Sequence, residues 1–311
     1  MPLRFTLRQL EYFVAVGEAG SIAVASEQAN VSSPSISASL SQLESEFGVQ
    51  LFVRKHARGL ALTPGGRRFL VEAKKVLAAA DGLNDLASDI AASVKGPLNI
   101  GCLVTFAQMV LPELRRLFED KFPDVRIRQV EGHQGDIFNF LRRAKVDIAL
   151  TYDMEIPSDL HFEPLATLPP YVLLPVGHPL DGRSDVSPED LVSEPMVLLD
   201  LPYSNDYFLS FFSRSGLKPR VVERTKDMAI MRSMVANGFG YSLANVRPRT
   251  NLSPDGKPLV FIPLAGEVRP MKLGLLTNRA THKSRTIGAF EDLCRDRIRE
   301  TAVPGLKMTP R

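Results

Sequence analysis

The sequence lacks the features that would mark a secreted or membrane protein. Its 311 residues include only two cysteines, Cys102 and Cys294, whose wide separation gives neither a CxxC motif nor a metal-ligand spacing. No apolar run approaches the roughly 20 residues that a membrane-spanning helix requires, and the first residues do not form a signal-peptide pattern. We therefore expect a reducing, cytoplasmic environment and no membrane association.

Signatures of catalysis and of metal binding are also missing. The five histidines show no i, i+4 pairing and no neighbouring cysteines, which argues against a metal site. There is no GxSxG nucleophile turn, no GxGxxG loop and no Walker-type phosphate loop. These absences predict a protein that is not an enzyme and that carries neither a metal nor a cofactor.

An excess of positive charge is missing from the N-terminal part of the chain. Residues 1–95 contain ten Lys or Arg and nine Asp or Glu, which gives a net charge of +1. A strongly basic domain would by itself point to nucleic acid, and this one does not. Any case for DNA binding therefore depends on how the residues are arranged.

The N-terminal part does contain the signals for a short helix, a tight turn and a second helix. Ser21 is a good N-cap for the first helix, and Asn30 ends it. Ser32 or Ser33 caps the second helix. Pro34 stands near its first position, where the missing N–H of proline costs nothing.

The second predicted helix has one apolar face and one face of small polar residues. The apolar residues recur at steps of four, three and four, and are Ile36, Leu40, Leu43 and Phe47. A small polar outer face on a helix that is held by a partner helix fits the DNA major groove. The residues predicted to meet DNA from this helix are Ser32, Ser33, Pro34, Ser35, Ala38, Ser39 and Gln42.

A basic hairpin follows the second helix. Two short predicted strands flank a loop that carries Arg54, Lys55 and Arg58, with Gly59 for the turn. We predict that these cations neutralise DNA phosphates while the helix reads the edges of the bases. The alternative interpretation is a solvated basic loop on a small core domain.

Residues 20–66, together with Phe13 before them, resemble the N-terminal signature of LysR-type transcriptional regulators. The matching positions are Phe13, Gly20, Ser21, Ala25, Val31, Ser32, Pro34, Ser37, Leu43, Glu44, Gly48, Leu51, Phe52, Arg54, Leu62, Thr63 and Gly65. The resemblance implies a winged helix-turn-helix that binds double-stranded promoter DNA. Ser33 and Ala38 depart from the family, which usually has glutamine and often a basic residue there. Direct readout is therefore expected to depend on serine hydroxyls, Gln42, the wing and DNA shape.

A long helix is predicted after the hairpin, ending near Ser93. Its apolar residues are spaced 4, 3, 4, 3, 4, 3, and they are Phe69, Ala73, Val76, Ala80, Leu83, Ala87 and Ile90. We predict that this seam pairs with its copy in a second subunit, so that two winged units address two half-sites. Packing of the helix on its own domain is the alternative. The resemblance implies a homodimer or a homotetramer.

The rest of the chain alternates predicted strands and helices, which indicates parallel sheets with covering helices. Two such lobes joined by crossing strands resemble a periplasmic-binding-protein fold, which LysR-type regulators carry as their effector domain. The fold class is α/β with an N-terminal all-α winged helix-turn-helix and a two-lobed effector domain. The expected boundaries are 1–63 for the DNA-binding domain, 64–95 for the linker helix, 96–311 for the effector domain, about 96–162 and 268–300 for lobe I, and about 163–267 for lobe II.

In such a fold a small molecule lies between the lobes, at the carboxyl ends of strands and the N-termini of helices. Backbone N–H groups there favour carboxylates. The candidate effector-binding residues are Thr105, His133, Thr151, Tyr203, Ser204, Arg224 and Thr225. Thr105 and Ser204 are expected to cap helices as well as to contact the ligand, and capping alone is the alternative.

Taken together, the residues and the resemblance predict a cytoplasmic regulator that binds promoter DNA, senses a small-molecule effector such as a carboxylate, and activates or represses. RNA polymerase is a further candidate partner. One alternative is a small-molecule-binding protein of the periplasmic type without a regulatory role. Another is an enzyme with a fused DNA-binding arm, which turnover of a cleft ligand by the purified protein would favour.

Overall fold

Two compact units, residues 1–91 and 92–311, make up the chain. The residues that the computed structural model describes are 4–55, 59–90, 93–280 and 283–308. No helix within these ranges is both long and apolar enough to cross a membrane.

The N-terminal unit is a bundle of helices with one hairpin. Its elements are α1 (Leu7–Ala19), α2 (Ile22–Ala29), α3 (Ser33–Phe47), β1 (Phe52–Lys55), β2 (Gly59–Leu62) and α4 (Pro64–Ile90). Ser32 caps α3 by accepting a hydrogen bond from the Ser35 backbone N–H, so Ser32 rather than Ser33 is the N-cap. Asn30 ends α2 in the left-handed conformation at φ 52°, as its position in the sequence predicted.

The core of this unit follows the predicted apolar face of α3 with one exception. Ile36, Leu40 and Leu43 are buried among Phe13 of α1 and other apolar residues. Phe47 stands on the last turn of α3, where the helix end leaves its ring 39% exposed. The expectation that Phe47 is buried is therefore wrong, although its ring still packs against those of neighbouring phenylalanines.

The C-terminal unit is built from two lobes. Its elements are β3 (Gly96–Leu103), α5 (Val104–Ala107), α6 (Leu111–Lys121), β4 (Val125–Gly132), α7 (Gln134–Arg142), β5 (Ile148–Tyr152), β6 (Leu160–Leu168), β7 (Tyr171–Pro175), α8 (Pro188–Leu191), β8 (Pro195–Leu199), α9 (Ser204–Ser213), β9 (Arg220–Thr225), α10 (Met228–Ala236), β10 (Ser242–Ala244), β11 (Leu259–Pro263), β12 (Met271–Asn278) and α11 (Arg285–Arg297).

Lobe I contains a mixed sheet with the strand order β4-β3-β5-β12-β6. Strands β3, β4 and β5 are parallel, whereas β12 is antiparallel to both of its neighbours. The expectation of a fully parallel sheet is wrong for β12, because the chain re-enters lobe I from lobe II and runs in the opposite direction. β6 pairs in this sheet as far as Leu168, so lobe I continues beyond the expected boundary at residue 162.

Lobe II contains a three-stranded antiparallel sheet, β10-β7-β11, and a parallel pair, β8-β9. The expectation of a second lobe with the same parallel sheet is therefore correct only for β8 and β9. Cys102 and Cys294 are free and buried in the core of the unit, and burial raises the pKa of both thiols. Their environment is that of small core residues rather than of reactive thiols.

Candidate DNA interface and ligand cleft

The outer face of α3 presents most of the predicted DNA-reading residues to solvent. The exposed members of the predicted set are Ser32, Pro34, Ser35, Ala38 and Gln42. Gln42 is not entirely free, because its Oε1 accepts a hydrogen bond of 2.9 Å from Gln9 Nε2 of α1. Ser41 is exposed on the same helix. The sequence interpretation missed Ser41, although its position three residues after Ala38 was a signal for it.

Ser33 and Ser39 are turned toward the interior of the N-terminal unit. The Ser33 hydroxyl lies 2.9 Å from the Ser26 hydroxyl of α2. Ser39 Oγ is buried and has no hydrogen-bond partner among the residues described. Both positions adjoin the apolar stripe, since Ser33 precedes Ile36 by three residues and Ser39 follows it by three. This arrangement corrects the expectation that these two hydroxyls face DNA.

A carboxylate ties α3 to the hairpin. Glu44 Oε1 accepts hydrogen bonds from the backbone N–H groups of Leu51, at 2.6 Å, and Phe52, at 3.0 Å. Leu51 and Phe52 are themselves buried. Glu44 therefore fixes the angle between the helix and the hairpin, a role that the sequence analysis did not assign.

The cations that were predicted to contact phosphates are only partly described. The backbone of Arg54 and Lys55 forms the end of β1, but their side chains and the whole of Arg58 lie outside the described residues. Arg67 and Arg68 are exposed at the start of α4. Arg67 Nη1 donates to the Leu62 carbonyl at 3.0 Å, which fixes this guanidinium beside the hairpin.

The predicted seam on α4 divides into two parts. Phe69 packs against core rings, and Ala73 is only 3% exposed, so Ala73 is not available to a second chain. Val76 and Leu83 are 42% and 68% exposed, and Ala80 is half-buried between them. The side chains of Ala87 and Ile90 lie outside the described residues. The first part of the seam thus follows the alternative of packing on its own unit.

A cavity of about 380 Å³ lies between the two lobes of the C-terminal unit. Thr105 is the single predicted effector residue on its wall. Its wall includes Thr105, Gln108, Gln129 and Glu131 from lobe I, and Leu201, Lys226, Asp227 and Met228 from lobe II. The sequence interpretation missed Leu201, Lys226 and Asp227 because they stand one or two positions beyond the ends of β8 and β9, and it missed Gln129 and Glu131 because they lie within β4.

Thr105 lies inside the short helix α5 and does not cap a helix, which corrects that expectation. Its side chain is buried beside the phenol of Tyr152. Thr105 Oγ1 forms no hydrogen bond of ordinary geometry with the residues described. A buried hydroxyl on a cavity wall, whose polar neighbour is the phenol of Tyr152, is a donor that a bound molecule can use.

Thr151 serves the interior of lobe I instead of the cleft. Its hydroxyl donates to Gln134 Oε1 at 2.5 Å, and Gln134 Nε2 donates to the carbonyls of Tyr152 and Met154. Thr151 and Gln134 are both buried. The Thr151 hydroxyl thus joins β5 to α7 and lies off the cavity wall, and a role in effector binding stays a prediction.

Tyr203 and Ser204 stand at the start of α9 in lobe II. Tyr203 is the N-cap residue with a left-handed backbone, at φ 68°, and its ring lies 6.1 Å from that of Phe138 on α7 of lobe I. Ser204 is buried as the first residue of α9 and is not the N-cap, contrary to expectation. Tyr203 therefore contacts both lobes, although it does not line the 380 Å³ cavity.

Arg224 and His133 also lie off the wall of that cavity. Arg224 Nη1 is 3.4 Å from Asp200 Oδ2, so its charge is already paired within lobe II. His133 is the N-cap residue of α7, and its backbone N–H donates to Asp136 Oδ2. His133 Nδ1 is buried and has no hydrogen-bond partner among the residues described. The roles of Arg224 and His133 in effector binding stay predictions.

The N-terminus of α10 points at the cavity but is occupied by a carboxylate of the protein. Asp227 Oδ1 accepts hydrogen bonds from the backbone N–H groups of Ala229, at 2.7 Å, and Ile230, at 3.0 Å. Thr225 Oγ1 accepts from the Asp227 N–H and so completes the turn. An anionic ligand would have to compete with Asp227 for these N–H groups.

Comparisons with known proteins agree with this geometry. Residues 7–67 match the family model "Bacterial regulatory helix-turn-helix protein, lysR family". Residues 91–299 match the family model "LysR substrate binding domain". The transcriptional activator protein LysR of Escherichia coli is 30% identical over 240 residues, which are 77% of this chain and 77% of that protein.

Solved structures show the same architecture. HinK, a LysR family transcriptional regulator from Pseudomonas aeruginosa, is 36% identical, with a TM-score of 0.64 over 95% of this chain and 99% of that one. CbnR, solved in complex with its target DNA, is 22% identical, with a TM-score of 0.55 over 94% of this chain and 99% of that one. The likeness to CbnR concerns the fold alone.

Proposed function

Because the chain belongs to the LysR family of bacterial transcriptional regulators, we propose that α3 reads operator DNA through Ser35, Ala38, Ser41 and Gln42. The protein is a DNA-binding transcriptional regulator with an effector-binding domain. We also propose a cytoplasmic location, where promoter DNA and RNA polymerase are found.

The observation that carries the proposal for DNA is the small polar face of α3, fixed to the hairpin by Glu44. Short side chains let the helix approach the floor of the major groove closely. Gln42 alone among them carries an amide that can pair with adenine in two hydrogen bonds, and Gln9 holds it. The remaining specificity comes from hydroxyls and from the shape of the DNA.

Genome-wide mapping of bound sites tests this proposal, followed by binding assays on the sites found. Ser35→Ala and Gln42→Ala are expected to change the preference among sequences, whereas Arg68→Ala is expected to weaken binding on all of them and to reduce the salt dependence. A protein that prefers no genomic fragment at low ionic strength would contradict the proposal.

For the effector, the cavity between the lobes supports a small molecule that carries one carboxylate. Lys226 of lobe II supplies a cation at the wall, and the Thr105 hydroxyl supplies a donor from lobe I. Glu131 adds negative charge on the same wall, and Asp227 already uses the helix N–H groups. These carboxylates disfavour a ligand with two or more negative charges.

Calorimetric titration of the full chain with a panel of small monocarboxylates and dicarboxylates tests this assignment. Thr105→Val and Lys226→Met are expected to weaken binding of the active compound at least tenfold. Lys218→Met, which removes an exposed lysine elsewhere in lobe II, is the matched control. Unchanged affinity in both cavity variants would remove the ligand from this cleft.

We further propose that the protein forms dimers through Val76, Ala80 and Leu83 of α4, with or without assembly into tetramers. Exposed apolar side chains at heptad spacing support this seam. The division into residues 1–63, 64–95 and 96–311 stays part of the proposal, with α4 as the linker helix.

A further inference from the structure

Two arginines of lobe II surround one aromatic ring. The guanidinium carbon of Arg232, on α10, lies 5.5 Å from the centre of the Phe261 ring, and that of Arg247 lies 4.7 Å from it. Tyr171 packs against the same ring, with centroids 5.3 Å apart. Both guanidinium groups therefore lie within 5.5 Å of one ring centre, and repulsion between like charges is weakly screened near a protein interior.

The hydrogen-bonding capacity of both arginines is incompletely used. Arg232 is only 4% exposed, and its Nη2 donates to the Leu252 carbonyl at 2.7 Å. Arg232 Nη1 and Arg247 Nε are buried without a hydrogen-bond partner. In the ranges 93–280 and 283–308, no carboxylate forms an ion pair with either guanidinium.

Burying an unpaired guanidinium costs free energy, and the neighbouring groups offset this cost only in part. Burial lowers the pKa of Arg232, and the phenol of Tyr171 is the neighbouring group that opposes this change. The Phe261 ring attracts both cations, but it offers no lone pair to the two unsatisfied N–H groups. It also leaves the repulsion between the two charges in place. An anion would satisfy all three requirements at once.

We propose that Arg232, Arg247 and Phe261 form a second ligand site, which binds one small anion through a carboxylate or phosphate group. Two guanidinium groups with free N–H donors suit the planar carboxylate and the phosphate oxygens. These arginines do not line the cavity between the lobes, so the site is separate from the proposed effector cleft.

The site is connected to the cleft through α10. Arg232 stands one turn after Met228, and Met228 lines the cavity at the start of the same helix. The Arg247 carbonyl accepts a hydrogen bond of 2.8 Å from the Lys307 N–H of the C-terminal segment. An anion that joins Arg232 to Arg247 would fix α10 relative to this segment and so change the affinity of the cleft for its own ligand.

Thermal unfolding and calorimetry of the full chain test the proposal, with inorganic phosphate as the first probe and benzoate as the second. Sodium chloride at matched ionic strength measures the unspecific contribution of salt. Phosphate or benzoate is expected to raise the Tm above the chloride value. The two probes distinguish a phosphate-bearing ligand from a carboxylate.

Arg247→Met and Arg232→Lys are expected to weaken binding of the active probe at least tenfold. Arg249→Met removes an exposed arginine two residues from Arg247 and should leave binding unchanged. Lys218→Met, which removes an exposed lysine of lobe II away from the cleft, should also leave it unchanged. Because Arg247 is half-buried, its variant remains informative if the Arg232 variant does not fold.

Two results would overturn the proposal. One is a response to both probes that equals the response to chloride. The other is a specific response that Lys226→Met abolishes and Arg247→Met leaves intact, since the anion would then occupy the cleft.

Discussion

Replacing Glu44 with alanine should loosen the hairpin without unfolding α3. The substitution removes the acceptor for the N–H groups of Leu51 and Phe52, whose residues are 0% and 7% exposed. A hydrogen bond to a charged group contributes about 1.5–3 kcal/mol. Water can reach part of the vacated space because Glu44 is only half-buried, so the combined loss should be close to that of one such bond, about 3 kcal/mol.

Hydrogen exchange of the full-length protein measures this loss locally. About 3 kcal/mol corresponds to roughly 100-fold faster exchange of the Leu51 and Phe52 amides, if they exchange by local opening. Glu46→Ala is the matched control, because Glu46 lies two residues further on the same helix and is exposed. It should leave the exchange of both amides unchanged.

DNA affinity provides an independent readout. Loss of a negative charge and loosening of the hairpin are expected to change it in opposite directions. Removal of a negative charge near DNA should strengthen binding through electrostatics alone, and Glu46→Ala is expected to do so slightly. Glu44→Ala is expected to weaken binding, because a hairpin free to change its angle contacts the phosphates less well. Equal affinity in both variants, with protected Leu51 and Phe52 amides, would refute the reasoning.

Three further predictions concern other parts of the chain. Ala38→Glu should lower DNA affinity at least tenfold with an unchanged Tm, and undiminished binding would move Ala38 off the interface. Leu83→Asp should raise the dimer dissociation constant measured by sedimentation at least tenfold, whereas Ala78→Asp, off the seam, should not; equal effects would contradict the seam. Arg295 lowers the pKa of Glu163 below its ordinary 4.5, so this pair stabilises the fold above that pH and less as pH falls through the lowered pKa. Glu163→Gln should therefore flatten the loss of stability in acid, and an unchanged pH profile would contradict this.

The elements of the N-terminal unit were predictable because local signals agreed with each other. Ser21, Asn30 and Gly48 begin or end helices where short-range chemistry requires it. The direction of each hydroxyl on α3 was not predictable in the same way. Ser33 meets Ser26 because α2 packs on that side, and the packing of a second helix cannot be deduced from the periodicity of the first.

The C-terminal unit shows where alternation of strands and helices ceases to be informative. The pattern indicates that strands exist, but it does not give the direction of a strand that returns from another lobe, as β12 does. The apolar pattern of residues 107–122 indicates one helix from Ala107, whereas α5 ends at Ala107 and α6 begins only at Leu111. Pro112 in the first turn of α6 was the signal for a helix start that the apolar pattern concealed.

Polar residues at strand ends are required both for helix capping and for ligand binding, and a single sequence does not distinguish the two roles. A helix that starts beside a cleft must satisfy its own N–H groups, and a ligand in the cleft needs donors of the same kind. Asp227 meets the first demand at α10, and Gln134 holds Thr151 inside lobe I. The Thr105 hydroxyl lies on the cavity wall beside the phenol of Tyr152. Because the polar groups of Asp227 and Gln134 are used inside the protein while that of Thr105 lies on the cavity wall, position on the wall identifies the ligand site better than polarity does.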